Sequence, residues 1–191
     1  MKIRSAAIAA ALAGTGALAH AGEFTCISGS FADCALATSS LSWTWNGLDF
    51  TISNDGLGYV SEVYFDLGSG MGASFLSGTG GTVNFYAGAS PASLPGGSTV
   101  GFVSDKSFDS DPAGLVHNGI DSGETATFRI VGASANSFDI GALAAGLHVR
   151  SLINDSASVV TINSPVPEPE TYAMMLLGFG AVAWAARRKK A

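Results

Sequence analysis

Leu48-Asp49-Phe50-Thr51-Ile52-Ser53 alternates apolar and polar side chains, the period of two that marks a β-strand with one face buried. The same period recurs on both sides of it. Tyr59, Val63 and Phe65 are interleaved with Val60, Glu62, Tyr64 and Asp66; Val83, Phe85 and Ala87 with Thr82, Asn84 and Tyr86; Ala126, Phe128 and Ile130 with Thr125, Thr127 and Arg129. Leu41-Ser42-Trp43-Thr44-Trp45 and residues 99–104, 147–153 and 158–162 add further strands. Turn chemistry separates the runs at Asn54-Asp55-Gly56, Pro95-Gly96-Gly97 and Asp121-Ser122-Gly123. Only residues 138–146 look capable of a short helical turn. Roughly eight or nine short strands without long helices between them predict an all-β domain over 22–163, an antiparallel β-sandwich of jelly-roll type.

The charge pattern sets this body apart from its two ends. Of nine Lys and Arg, Lys2 and Arg4 open the chain, while Arg187, Arg188, Lys189 and Lys190 close it. Lys106, Arg129 and Arg150 remain between them, against all fifteen Asp and Glu. A formal charge of −6 excludes a nucleic-acid partner, because phosphate would repel it. Apolar residues at 47%, with 11 Phe, exclude a disordered chain, since they suffice to bury a core.

Residues 1–21 read as a signal peptide. Lys2 and Arg4 supply the positive start, residues 6–19 the apolar stretch, and Ala19-His20-Ala21 the small-x-small site that leaves Gly22 as the new N-terminus. Signal peptidase and the general secretion machinery are the implied partners. At the other end, three prolines in residues 164–171 block both helix and central strand, so this linker is extended. Residues 172–186 carry no charge and predict a short transmembrane helix, about 22 Å at ~1.5 Å per residue against a bilayer core of ~30 Å. Tyr172 and Trp184 suit the interfaces, and the cations of 187–191 place that tail in the cytoplasm.

Val166-Pro167-Glu168-Pro169, followed by the short apolar segment and the cluster Arg187, Arg188, Lys189 and Lys190, resembles the PEP-CTERM sorting signal of Gram-negative bacteria. The resemblance covers residues 166–191 and implies a substrate of exosortase, a multi-pass membrane cysteine transpeptidase that processes the chain near the Pro-Glu-Pro element. It also implies an inner-membrane-anchored intermediate, then an outer-surface or extracellular-matrix destination tied to exopolysaccharide and biofilm. Val166, Pro167, Glu168 and Pro169 carry over as the recognition element. The body carries nothing over, because ectodomains with this signal differ widely.

Candidate chemistry within the body is sparse. Cys26 and Cys34, the two cysteines, predict a disulfide in an oxidising compartment, since two thiols without a nearby His do not complete a zinc site. Gly68-Ser69-Gly70-Met71-Gly72-Ala73 mimics a dinucleotide fingerprint, but residues 74–81 cannot form the helix it needs, so 68–81 reads as a Gly-rich loop. Asp105, Asp109 and Asp111 surround Phe108 in an expected loop and offer oxygen ligands for Ca²⁺; without the Gly and terminal Glu of an EF-hand they read first as a solvated acidic turn. Leu41, Trp43 and Trp45 share one strand face and read as core rather than a sugar platform, leaving Tyr64 and Tyr86 as the better exposed aromatics. His148, beside Arg150, reads as a surface or packing residue, and His117 as a loop residue able to act as a base. Asn154-Asp155-Ser156 matches a glycosylation sequon, a pattern too common to weigh. No catalytic residue, metal site or cofactor is expected. The first functional reading is a non-enzymatic surface or matrix protein. A carbohydrate-binding module delivered by the same route, with Tyr64, Tyr86 and the Asp105 loop as its site, is the alternative, and a small secreted hydrolase using His117 the third.

Overall fold

The computed structural model describes residues 20–80, 82–111, 118–132 and 144–161. The expected signal peptide through Ala19, residue His117, and the linker, sorting element, span and tail lie outside these residues. Ten strands form: β1 (His20–Gly29), β2 (Leu41–Trp45), β3 (Asp49–Asn54), β4 (Tyr59–Asp66), β5 (Met71–Gly78), β6 (Tyr86–Ala87), β7 (Lys106–Asp109), β8 (Glu124–Gly132), β9 (Ala144–Arg150) and β10 (Ala157–Thr161). One helix, α1 (Phe31–Ser40), links β1 to β2.

In place of the two sheets of a jelly-roll sandwich, the strands make one antiparallel sheet, ordered β5-β8-β3-β2-β1-β10-β9-β4-β7-β6 and nearly closed into a barrel. The reason lies in β1, which serves two neighbours in turn. Its first residues, His20–Glu23, pair with Trp45–Ser42 of β2, and from Phe24 onward it pairs with β10. A strand shared in this way leaves no gap at which the sheet could divide.

Alternation sends Phe50, Ile52, Phe65, Phe128 and Leu147 inward, each with no exposed surface. Phe128 is the hub: its ring centroid lies 5.4 Å from Phe65, 5.6 Å from Phe75, 5.5 Å from Phe85 and 5.1 Å from Phe108. These are the tilted and edge-on spacings that aromatic quadrupoles favour. Phe75 of β5 and Phe85, just before β6, meet at 5.8 Å, so the two terminal strands of the sheet are brought together by side chains.

Four expectations change. Residues 71–78, expected within a Gly-rich loop, are strand β5, with Ala73 and Phe75 opposite Ile130 and Phe128. Residues 99–104 form no strand; Gly97–Val100 is a single 3-10 turn. Of the run 82–87 only Tyr86–Ala87 pairs, and Ala144–Gly146 opens strand β9 rather than a helical turn. The helix stands elsewhere. Ser30 caps α1, its Oγ accepting from Asp33 N at 3.1 Å and donating to Asp33 Oδ2 at 2.7 Å.

The register also defines two poles. β10 runs toward the one at which β1 begins, with Thr161 opposite Phe24, four residues along β1 from His20. The β2–β3 turn and the start of β5 share that pole. The opposite pole carries α1, where Ser40 O accepts from Asp55 N at 2.9 Å and Asp33 Oδ1 from Asn154 N at 3.0 Å.

Candidate functional site

Among the described residues, chemistry-bearing side chains gather on the outer face of the half-sheet β10-β9-β4-β7-β6. Cross-strand pairing puts Ser158, His148, Glu62, Asp109 and Tyr86 in one row over five strands. Glu62 is 1% exposed, unusual for a lone carboxylate in mid-strand. Arg150 Nη2 donates to its Oε1, Ser61 Oγ donates to its Oε2, and His148 Nδ1 lies 2.9 Å from Oε2. That His148 contact lies off the line of a hydrogen bond. The register slips between Val60 and Glu62, and this bulge turns Ser61 toward its neighbour's carboxylate and toward His148 O at 3.1 Å. Arg150, half-exposed, brings the cation from the surface. The arrangement satisfies a buried charge with charge-assisted bonds, and its seryl hydroxyl is committed to that task.

Tyr64 corrects the expected pair of exposed aromatics. It faces outward as its position predicts, yet it is fully buried, because residues 88–104 fold over it and bring Leu94, Ala89 and Phe102 into a second apolar cluster with Val160 and Ile27. Its hydroxyl donates to Pro91 O at 2.8 Å, and burial raises its pKa well above the ordinary phenol value. Tyr86 remains exposed at 41%. Trp43 and Trp45 are core residues.

Asp105, Asp109 and Asp111 do not converge. Lys106–Asp109 is strand β7, so Asp105 and Asp109 flank about 13 Å of extended chain. Asp105 Oδ2 accepts from Leu67 N and Gly68 N at 3.1 and 2.9 Å, tying down the turn after β4. Asp109 Oδ1 accepts from Asp111 N at 2.8 Å, and Asp111 Oδ1 from Asn118 N at 3.1 Å. Among the described residues no group of three His, Cys, Asp or Glu side chains is placed to hold a metal.

Cys26 of β1 and Cys34 of α1 are joined in a disulfide, stapling the helix to the sheet. Beside it, Asn154 Nδ2 donates to Ser30 Oγ at 2.9 Å, so the amide of the sequon is engaged at the helix cap. An open groove of about 340 Å³ runs along the other end of α1, between Glu23, Thr38, Leu41, Ser42 and Asp55. The helix end and the Glu62 row were both missed by sequence reasoning. Ser30-x-x-Asp33 is the capping signal that marks the helix; the Glu62 row needs the strand order, which single-chain periodicity does not give.

No helix among the described residues is long and apolar enough to cross a membrane. No curated protein and no solved structure matches the chain. Residues 165–189 do match a family model, described as the PEP-CTERM protein-sorting motif, and the match takes in the expected Val166-Pro167-Glu168-Pro169 element and the cations Arg187, Arg188 and Lys189. The chain thus carries a PEP-CTERM protein-sorting motif, the signal that addresses an exported protein to exosortase.

Proposed function

We propose that this is a non-enzymatic cell-surface or extracellular-matrix protein, delivered by signal peptidase and then processed near Pro167-Glu168-Pro169 by an exosortase-like transpeptidase. The observation that carries the reading is the common pole. Thr161, the last residue of β10, lies opposite Phe24, four residues along β1 from His20, and β10 runs toward the end from which β1 starts, so the sorting motif continues on the same side as the segment before His20. A body built this way can be held at a membrane by its C-terminal end without unpairing a strand, and cleavage after Ala21 takes the pairs His20–Trp45 and Ala21–Thr44 from the start of β1. The Glu62 cluster supports a passive body, since Ser61, His148 and Arg150 are all turned on its carboxylate.

The test is replacement of Pro167, Glu168 and Pro169 by Ala in the full chain, followed by fractionation and intact-mass analysis. The variant is expected to reach the membrane and keep its basic tail, while the parent loses it. A variant that sheds residues 187–191 as fast as the parent removes the exosortase step from this proposal.

A further inference from the structure

We propose that the open edge of the barrel, strand β5, pairs with the β5 of a second copy of this chain, joining two sheets into one across a two-fold axis. This goes beyond the reading above and does not depend on the exosortase step.

The edge itself is the first ground. β5 ends the sheet order, and among the described residues its backbone bonds run to β8 alone. Every second residue of such a strand turns its N–H and C=O away from the sheet, a template for another strand. The other edge, β6, offers only Tyr86–Ala87, whereas β5 runs from Met71 to Gly78. Phe75 and Phe85 meet across the seam by their rings, and no ladder joins β5 to β6. Edges are commonly guarded by charge or proline, and Met71–Gly78 carries neither. Its register slip falls at Leu76, an apolar side chain left 48% exposed.

Charge says which partner the edge takes. Residues 67–104 contain no Asp, Glu, Lys, Arg or His, the longest such stretch in the chain, and they supply β5, β6 and the turns beside them. Elsewhere in the body Asp and Glu far outnumber Lys and Arg, so two copies repel one another over most of their surface. At the seam they do not. Arg129 of β8, opposite Ser74, is neutralised by Asp49, and Glu124 lies past the end of β5, beside Gly80. A charged peptide gains nothing from an uncharged edge, while a second copy brings a strand as free of charge as the one it meets. Antiparallel pairing of β5 with itself satisfies both edges at once, the isologous contact of a two-fold dimer.

The experiment uses the full chain in detergent micelles. Sedimentation velocity over a range of concentrations reports association, and hydrogen exchange reports which strand is covered. The expected result is a dimer in which the amides of 71–78 exchange severalfold more slowly than in the monomer, and which grows as salt screens the acidic bodies. Ser77→Lys, on the exposed edge, is expected to weaken the dimer by about tenfold, because it sets like charges against each other. Thr44→Lys puts the same charge on the outer face of β2 and is expected not to weaken it. Melts of each variant check that the barrel is intact, and Leu76→Lys repeats the test where Ser77→Lys melts early. A chain that stays monomeric at every concentration overturns the proposal. A dimer that the edge variants leave as tight, or in which 71–78 exchange as fast as in the monomer, overturns it in favour of a contact elsewhere, such as the apolar segment 172–186. Equal weakening by Thr44→Lys and Ser77→Lys also overturns it, since net charge rather than the edge would then set association.

Discussion

The indole of Trp43 lies across Gly22, so close that a Cβ there would stand 2.5 Å from Cζ2 and 2.7 Å from Cε2. The ring cannot swing away freely. It stacks on Phe50 at 5.5 Å, and its Nε1 donates to Glu23 O at 3.1 Å. Gly22→Ala is therefore expected to destabilise the fold by about 1–3 kcal/mol through overpacking. Denaturant melts of the exported protein check this. Intact mass should begin at residue 22 in parent and variant alike, because the small-x-small pattern before the bond is unchanged. An N-terminus still at Met1 in exported protein would refute the signal-peptide reading, and an unshifted midpoint would refute the packing argument.

Phe128 joins the two facing halves of the sheet through four rings. Phe128→Ala is expected to cost about 3–5 kcal/mol, the range for emptying a well-packed aromatic site, and Phe128→Leu clearly less. Equal losses for the two variants would show that the apolar volume kept by Leu recovers nothing and that the ring contacts carry the whole effect.

The strands were legible where one face stayed open to water. Leu48-Asp-Phe-Thr-Ile-Ser carries its period into β3 because nothing covers Asp49, Thr51 and Ser53 deeply. Tyr64 shows the limit: its facing follows from the period, but its burial comes from residues 88–104, far along the chain. In β5 the inward positions Met71, Ala73 and Phe75 keep the period, while glycine and serine between them look like loop. Helix α1 is short and rich in Ala, Thr and Ser, marginal on intrinsic propensity; it is held by a cap, a disulfide and the buried Ala37. The sorting motif was readable because its three parts are contiguous in sequence. The Glu62 row was not, because its members come from five strands.

Arg150→Ala should cost about 3 kcal/mol, at the lower end of what breaking a buried ion pair costs, since it leaves the carboxylate of Glu62 buried against a poorly aligned His148. Glu62→Leu removes the buried charge itself, and Arg150, half-exposed, can turn to water. It is expected to be nearer neutral. A double-mutant cycle in which Arg150→Ala costs no more in the parent than in the Glu62→Leu background would deny the pair any coupling.

Cys26→Ser with Cys34→Ser should lower stability by at most about 2.5 kcal/mol, the chain-entropy value for so short a loop, and loosen α1 first. Hydrogen exchange is expected to rise in residues 31–40 before it rises in β3 or β8. Uniform acceleration would mean that the staple secures the whole barrel rather than the helix.

Acid should unfold this protein through two identifiable carboxylates. Asp33 is held below the ordinary value of 3.8 chiefly by the Asn154 N–H, with Ser30 adding to it. Asp49 is held below it by Arg129, whose Nε and Nη2 donate to Oδ1 and Oδ2 at 2.8 and 3.0 Å. A carboxyl with a depressed folded pKa binds its proton more readily in the unfolded chain. Its contribution is therefore complete above 3.8 and is lost as pH falls through 3.8 toward the folded values. The melting temperature should stay level from about pH 7 to about pH 5 as far as these two groups decide it, then fall steeply. Asp33→Asn with Asp49→Asn should lower stability at neutral pH and flatten the acid limb, because Asn has no proton to take up. An acid limb as steep in the double variant as in the parent would place the acid sensitivity elsewhere in the barrel.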